Sequence, residues 1–172
     1  DSLWRRRLSD AKSKVVSALV LGVPLGAGGL ALIFLLDMMF ISVGVSVIFE
    51  VVPKFTFIIS GLMLGLQAGF YEEALWRLGL LSFLAWVLKR WSWNRWGANV
   101  MIALLFGLGH IPALLLLAQE ATSLLIIRTV LLNAVMGVIF GYCYIKRGYG
   151  SAVSAHFTAN FINYGLIQPL LT

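Results

Sequence analysis

Long apolar runs, each closed by a short cluster of charged or indole-bearing residues, dominate the pattern along this chain. The runs are Val15–Leu36, Phe55–Leu88, Ala98–Ala118, Ser123–Ile145 and Ser151–Leu171. A bilayer core is ~30 Å thick and takes ~20 apolar helical residues to cross. Four of the runs match that length. Phe55–Leu88 is longer, ~51 Å as helix at 1.5 Å per residue, and reads as one long helix that tilts and projects past the membrane rather than two pieces broken near Gly69. Met38–Val52 is too short for a span and follows Asp37 with no room for a turn, so it reads as a re-entrant or interfacial helix. The pattern predicts an all-α fold: a polytopic transmembrane helical bundle of about five spans plus that short helix. Residues 1–54 form an N-terminal interfacial segment, first span and short helix, and 55–172 form the helical core.

Composition agrees. The chain is 60% hydrophobic and only 12% charged, against roughly 45–50% and 25% in soluble domains, and its mean hydropathy is +0.94. An integral membrane protein follows. Thirteen Lys and Arg against seven Asp and Glu give a net charge of +6. The cations sit at the ends of apolar runs, as Arg5-Arg6-Arg7, Lys12, Lys14, Lys89-Arg90, Arg95 and Lys146-Arg147, which is the signature of cytoplasmic flanks and not of nucleic-acid binding. Five spans place all of these on the cytoplasmic side with the N-terminus, and Gln119-Glu120 outside. A sixth crossing at Met38–Val52 would reverse the first cluster. The opening Asp1 reads as a processed or trimmed start with upstream spans possible, and the Val15–Leu36 run is too long for a signal h-region. Trp91-Ser-Trp93-Asn-Arg95-Trp96 suits the headgroup layer, and Leu3-Trp4…Leu8…Ala11 reads as a short surface helix. The single Cys143 is core filler, with no disulfide framework or cysteine metal motif.

Glycines mark close helix packing. Gly61, Gly65 and Gly69 share one helix face, Gly137 and Gly141 repeat the spacing, and Ser151, Ala152, Ser154, Ala155 and Ala159 surround a histidine.

The costly residues in this lipid-like sequence are few. They are Glu72-Glu73-Ala-Leu-Trp-Arg77, then Phe106-Gly-Leu-Gly-His110, then His156-Phe-Thr-Ala-Asn160. Intramembrane carboxylates and imidazoles usually mark chemistry. Residues four apart share a helix face, so His156 and Asn160 point together, and Glu73 can pair with Arg77. That pair can be purely structural. Glu72 lies ~100° from Glu73 on an α-helix and needs a partner elsewhere, with His110 and His156 as candidates. A glutamate in such a cavity can take a proton from water. Attack by that water on a carbonyl makes an oxyanion that His156 and Asn160 can stabilise. Arg77 can steady Glu73 or meet a substrate carboxylate. A histidine satisfied by a neighbouring helix is the plainer reading of each imidazole, but two of them with a glutamate pair and an asparagine on three intramembrane segments favour catalysis. Glu72, His110 and His156 can also form an open three-ligand zinc site, although no His-Glu-x-x-His motif is present. The favoured glutamate mechanism requires no cofactor. Arg128 is placed to snorkel outward, Gln67, Asn133 and Asn163 to bridge helices or, for the two asparagines, to line the cavity, and Asp37 and Glu50 to sit at interfaces.

The ordered set Glu-Glu-x-x-x-Arg, Phe-x-x-x-His and His-x-x-x-Asn, with Lys146-Arg147-Gly148-Tyr149-Gly150-Ser151 ahead of His156, resembles the CPBP (Abi) family of CAAX-type prenyl endopeptidases and bacteriocin-processing intramembrane proteases. The resemblance covers roughly Gly61 to Leu171. It implies that Glu72 activates water beside His110, that His156 and Asn160 stabilise the oxyanion, and that Glu73 and Arg77 support them. It implies either a metal or a glutamate mechanism. One departure is Leu78, which stands where family members often have glycine directly after the motif arginine.

The leading expectation is an intramembrane endopeptidase acting on a peptide or membrane-protein segment, prenylated or not, with membrane lipid as its other partner. Unbroken helix would place His156 ~14 Å beyond Arg147 and His110 ~22 Å beyond Arg95. The chain's compactness suggests a prokaryotic plasma membrane and, by analogy, peptide processing over prenyl-protein maturation. Rival readings are a non-catalytic membrane adaptor or immunity protein, and a small proton-coupled transporter. No inverted repeats favour the latter. Oligomeric state is not readable from the sequence.

Overall fold

In hydrocarbon a chain must pair its backbone polar groups internally, and helices do this within each segment. The computed structural model describes residues 2–45, 56–91, 94–118 and 120–171 and is helical almost throughout, with no strand among them. Helix α1 spans Ser2–Ser42. The expected surface helix near Leu3–Ala11 is therefore continuous with the first span, and Met38–Ser42 extends that span instead of starting a separate helix. Residues 46–52, with the rest of that expected short helix and Glu50, lie outside the described residues.

The long second run is one helical rod from Phe57 to Val87, as expected, but its winding changes. It comprises α2 (Phe57–Gln67), the wide-wound π1 (Ala68–Glu72) and π2 (Ala74–Leu81), and α3 (Ser82–Val87). Then come α4 (Asn94–Leu108), α5 (Ile111–Leu117), α6 (Ser123–Arg147), α7 (Tyr149–Asn160), π3 (Phe161–Ile167) and α8 (Gln168–Leu171). Asp10–Ser42, Asn94–Leu117 and Ser123–Arg147 are long and apolar enough to cross a membrane. With the Phe57–Val87 and Tyr149–Leu171 rods beside them, they make an all-α helical membrane protein.

The third run is not straight. Pro112 has no N–H to offer the carbonyl of Leu108, and its ring crowds that carbonyl, so the helix is interrupted. A turn at Gly109-His110 separates α4 from α5. At the other hairpin, Gly148 reverses the chain between α6 and α7 with φ of +81°, a left-handed conformation that suits glycine.

The glycine faces are where the rods meet. A Cβ at Gly61 would collide with Gly165 of π3 and at Gly65 with the Phe157 ring, and at Gly69 it would sit tightly against the carbonyl of Val153. Gly137 packs on Ala103, Gly107 on Val130, and Gly22 and Gly26 of α1 press onto Ser151, Ser154 and Ala155 of α7. Small residues thus bring α2, α1 and α6 against α7 or α4 at backbone distance. At the rim, Lys146 lies over the Trp96 ring at 5.7 Å and Lys89 over Trp86 at 5.3 Å, as expected of indole–cation anchors. Ser92 and Trp93 lie outside the described residues.

Candidate active site

Three elements deliver the motif residues. The wide winding around residues 68–81 carries Glu72, Glu73 and Arg77, the Pro112 interruption carries His110, and the last two turns of α7 carry His156 and Asn160. Tyr149 Oη donates to the carbonyl of Phe70 at 2.7 Å and ties π1 to the start of α7.

Glu73 is the hub. Its side chain is 0% exposed and lies 3.1 Å from Nε of Arg77, which is 1% exposed. Its Oε1 accepts from His156 Nδ1 at 2.8 Å. Arg77 Nη2 donates to the carbonyl of Gly137 on α6 at 3.0 Å. The Nε–Oε2 contact is an ion pair without hydrogen-bond geometry, Nη1 is likewise buried with no acceptor, and the guanidinium lies over the Phe106 ring at 5.0 Å, where the ring face offers electrostatic compensation. His156 stacks on Phe140 with centroids 4.2 Å apart. One buried carboxylate therefore joins the second rod, α6 and α7.

Of the two histidines expected as candidate partners of Glu72, His156 is taken by Glu73, while His110 shares a cavity with Glu72. Neither histidine hydrogen-bonds to Glu72 among the described residues. The two neighbouring glutamates face different surroundings: Glu73 is fully buried and takes the imidazole, while Glu72 is part-exposed and lines the cavity. Glu73 and Arg77 form the structural pair, and their burial closes to Arg77 the alternative of meeting a substrate carboxylate.

His110 is fixed differently. With Pro112 interrupting the helix, the His110 backbone N–H goes to Gly107, and its Nδ1 takes the freed carbonyl of Phe106 at 2.8 Å. A carbonyl only accepts, so Nδ1 carries the proton and Nε2 of the neutral ring is an acceptor.

Glu72, His110, His156 and Asn160 all line one cavity of about 380 Å³. A water occupies ~30 Å³, so the space suits a segment of substrate as well as a water. Gln67, Asn133 and Asn163 also line it, as expected for the two asparagines. Arg128 lines it too and does not snorkel. Its Nη2 donates to Asp37 Oδ2 of α1 at 2.6 Å, and its Nε donates to Oδ1. Sequence reasoning missed this pair, for which the only available signal was the presence of one cation and one anion near the same ends of two apolar runs.

Both imidazoles have Nδ1 fixed by an acceptor, an arrangement common behind zinc ligands. Among the described residues, however, no three His, Cys, Asp or Glu side chains are grouped to hold a metal ion. Glu72, His110 and His156 line the same cavity.

The family model described as type II CAAX prenyl endopeptidase Rce1-like matches residues 54–162. No curated protein and no solved structure matches the chain.

Proposed function

The chain belongs to the Rce1-like family of type II CAAX prenyl endopeptidases, and from that premise we propose that it is an intramembrane endopeptidase using glutamate-activated water. The observation that carries this reading is the sharing of one cavity by Glu72, His110, His156 and Asn160. Family membership favours it over the adaptor and transporter readings.

In the proposed reaction, a water in the cavity donates one hydrogen to the Glu72 carboxylate and the other to Nε2 of His110, both of which are acceptors. Glu72 takes the first proton as the water oxygen bonds to the scissile carbonyl carbon. Negative charge moves to the carbonyl oxygen, where Asn160 Nδ2 and His156 Nε2 donate to it. His156 can donate there only when both ring nitrogens are protonated, since Nδ1–H is committed to Glu73, and the charge it then carries is met by the developing oxyanion together with Glu73, which Arg77 shares. Collapse of the intermediate breaks the carbon–nitrogen bond, and Glu72 passes its proton to the leaving amine. No step uses a metal.

Family membership supports a membrane-associated peptide as substrate, and in place of the peptide processing first expected we propose that this peptide carries a prenylated cysteine near its end. C-terminal Cys-a-a-X sequences carry such a modification. The test uses the full chain in detergent and a farnesylated Cys-a-a-X peptide, with product masses read by mass spectrometry. The wild type should release the residues after the cysteine, and Glu72→Gln should stop release while the protein still folds. Release that survives Glu72→Gln would sink the glutamate mechanism.

A further inference from the structure

Among the described residues lining the cavity, Arg128 is the only Lys or Arg, and the proposed reaction does not use it. An arginine inside a membrane bundle is costly and commonly marks a substrate path. Asp37 occupies Nε and one N–H of Nη2. A guanidinium has five N–H donors in one plane, so three remain, and Nη1 has no acceptor among the described residues. They form the second edge of the fork, shaped for another carboxylate. The clamp on the first edge already holds the side chain in place, which reduces the ordering cost of binding.

We propose that Arg128, held by Asp37, anchors the free C-terminal carboxylate of the peptide substrate and sets how far from the chain end cleavage occurs. This rests on the proteolytic reading above.

Distance supports the assignment. α6 and α7 run antiparallel about the Gly148 turn, with Phe140 stacked on His156. The stretch of α6 from Phe140 to Arg128 rises ~18 Å, and Asn160 lies ~6 Å nearer to Arg128 than His156 does. The reacting carbonyl is therefore ~12–18 Å from the anchor. At ~3.3 Å per extended residue, that span is on the order of four to five residues, less the length that the Arg128 side chain itself bridges. Between the two ends the wall offers the side-chain amides of Asn133 and Asn163, suited to a peptide backbone. Arg77, the other intramembrane arginine of the core, is buried against Glu73 and closed to this role.

The test compares two farnesylated Cys-a-a-X peptides, identical except that one ends in a free carboxylate and the other in a carboxamide. The wild-type chain should favour the acid by roughly 10- to 100-fold in kcat/KM, mostly through KM, as expected for a hydrogen bond to a charged group. Arg128→Gln should bring the ratio near one. Because that change strands Asp37, the paired variant Asp37→Asn/Arg128→Gln is measured alongside and should show the same collapse. Equal cleavage of both peptides by the wild type overturns the anchor alone, as does a ratio retained in either variant. Wild-type cleavage of neither peptide counts instead against the proteolytic reading.

Discussion

Two adjacent glutamates should fail in opposite ways. Glu73 is fully buried between Arg77 and His156. In Glu73→Gln the amide oxygen can still accept from His156, but its NH2 faces Arg77 Nε, donor against donor. Arg77 then keeps a buried charge with only the Gly137 carbonyl and two ring faces around it. Removing one partner of a buried pair costs about 3–5 kcal/mol. For chains of this length each kcal/mol moves Tm by ~2–4 °C, giving a fall of about 6–20 °C. Glu72 faces the cavity with no hydrogen bond among the described residues, so Glu72→Gln should stay within ~0.5 kcal/mol, or about 1–2 °C. The double variant Glu73→Gln/Arg77→Met removes both charges and should recover much of the loss. Thermal unfolding in detergent, followed by intrinsic tryptophan fluorescence, reads all of these. Equal shifts for the two single glutamine variants, or a double variant less stable than the sum of its parts, would refute the assignment of Glu73 as the structural hub.

Chelators should leave turnover of the farnesylated peptide unchanged, and a loss restored by zinc would replace the glutamate mechanism with a metal one. Gly26→Val places a branched side chain against the Ala155 backbone and should destabilise by about 1–3 kcal/mol, whereas Gly28→Ala, with nothing within 4 Å, should be neutral or mildly stabilising; equal effects would mean α1 is not pressed onto α7. Pro112→Ala returns an N–H to the Leu108 carbonyl, straightens the α4–α5 junction and draws His110 from its position. It should lower kcat/KM by about tenfold or more with Tm unchanged or raised, and unaltered kinetics would show that the interruption does not position His110.

The membrane class, the long rods and the glycine seams were legible because lipid imposes simple rules on length and residue size. Gly61, Gly65 and Gly69 meet α7 and π3 as their spacing predicted. The four cavity residues were legible because ionisable and amide groups are rare in apolar sequence. What was not legible was local detail. No residue type in Ala68–Leu81 announces a wide turn, and spacing alone left both histidines as candidates for Glu72 without showing that His156 bonds Glu73. Pro112 was a readable signal for the interruption at His110, and periodicity alone passed over it. Arg128 was misplaced because nearness to a run's end suggests an outward path equally well as a partner on another helix, and only packing of α1 on α6 decides between them.

Asp37 lies outside the stretch shared with the family and Arg128 lies inside it. The two halves of one ion pair are thus inherited under different constraints. A substitution at either position leaves its partner's charge uncompensated inside the bundle, so drift at one should be tolerated only when the other changes in step. Relatives with no acid at the place of Asp37 should therefore carry a neutral residue at that of Arg128, and a pairwise count across many such sequences would reveal it.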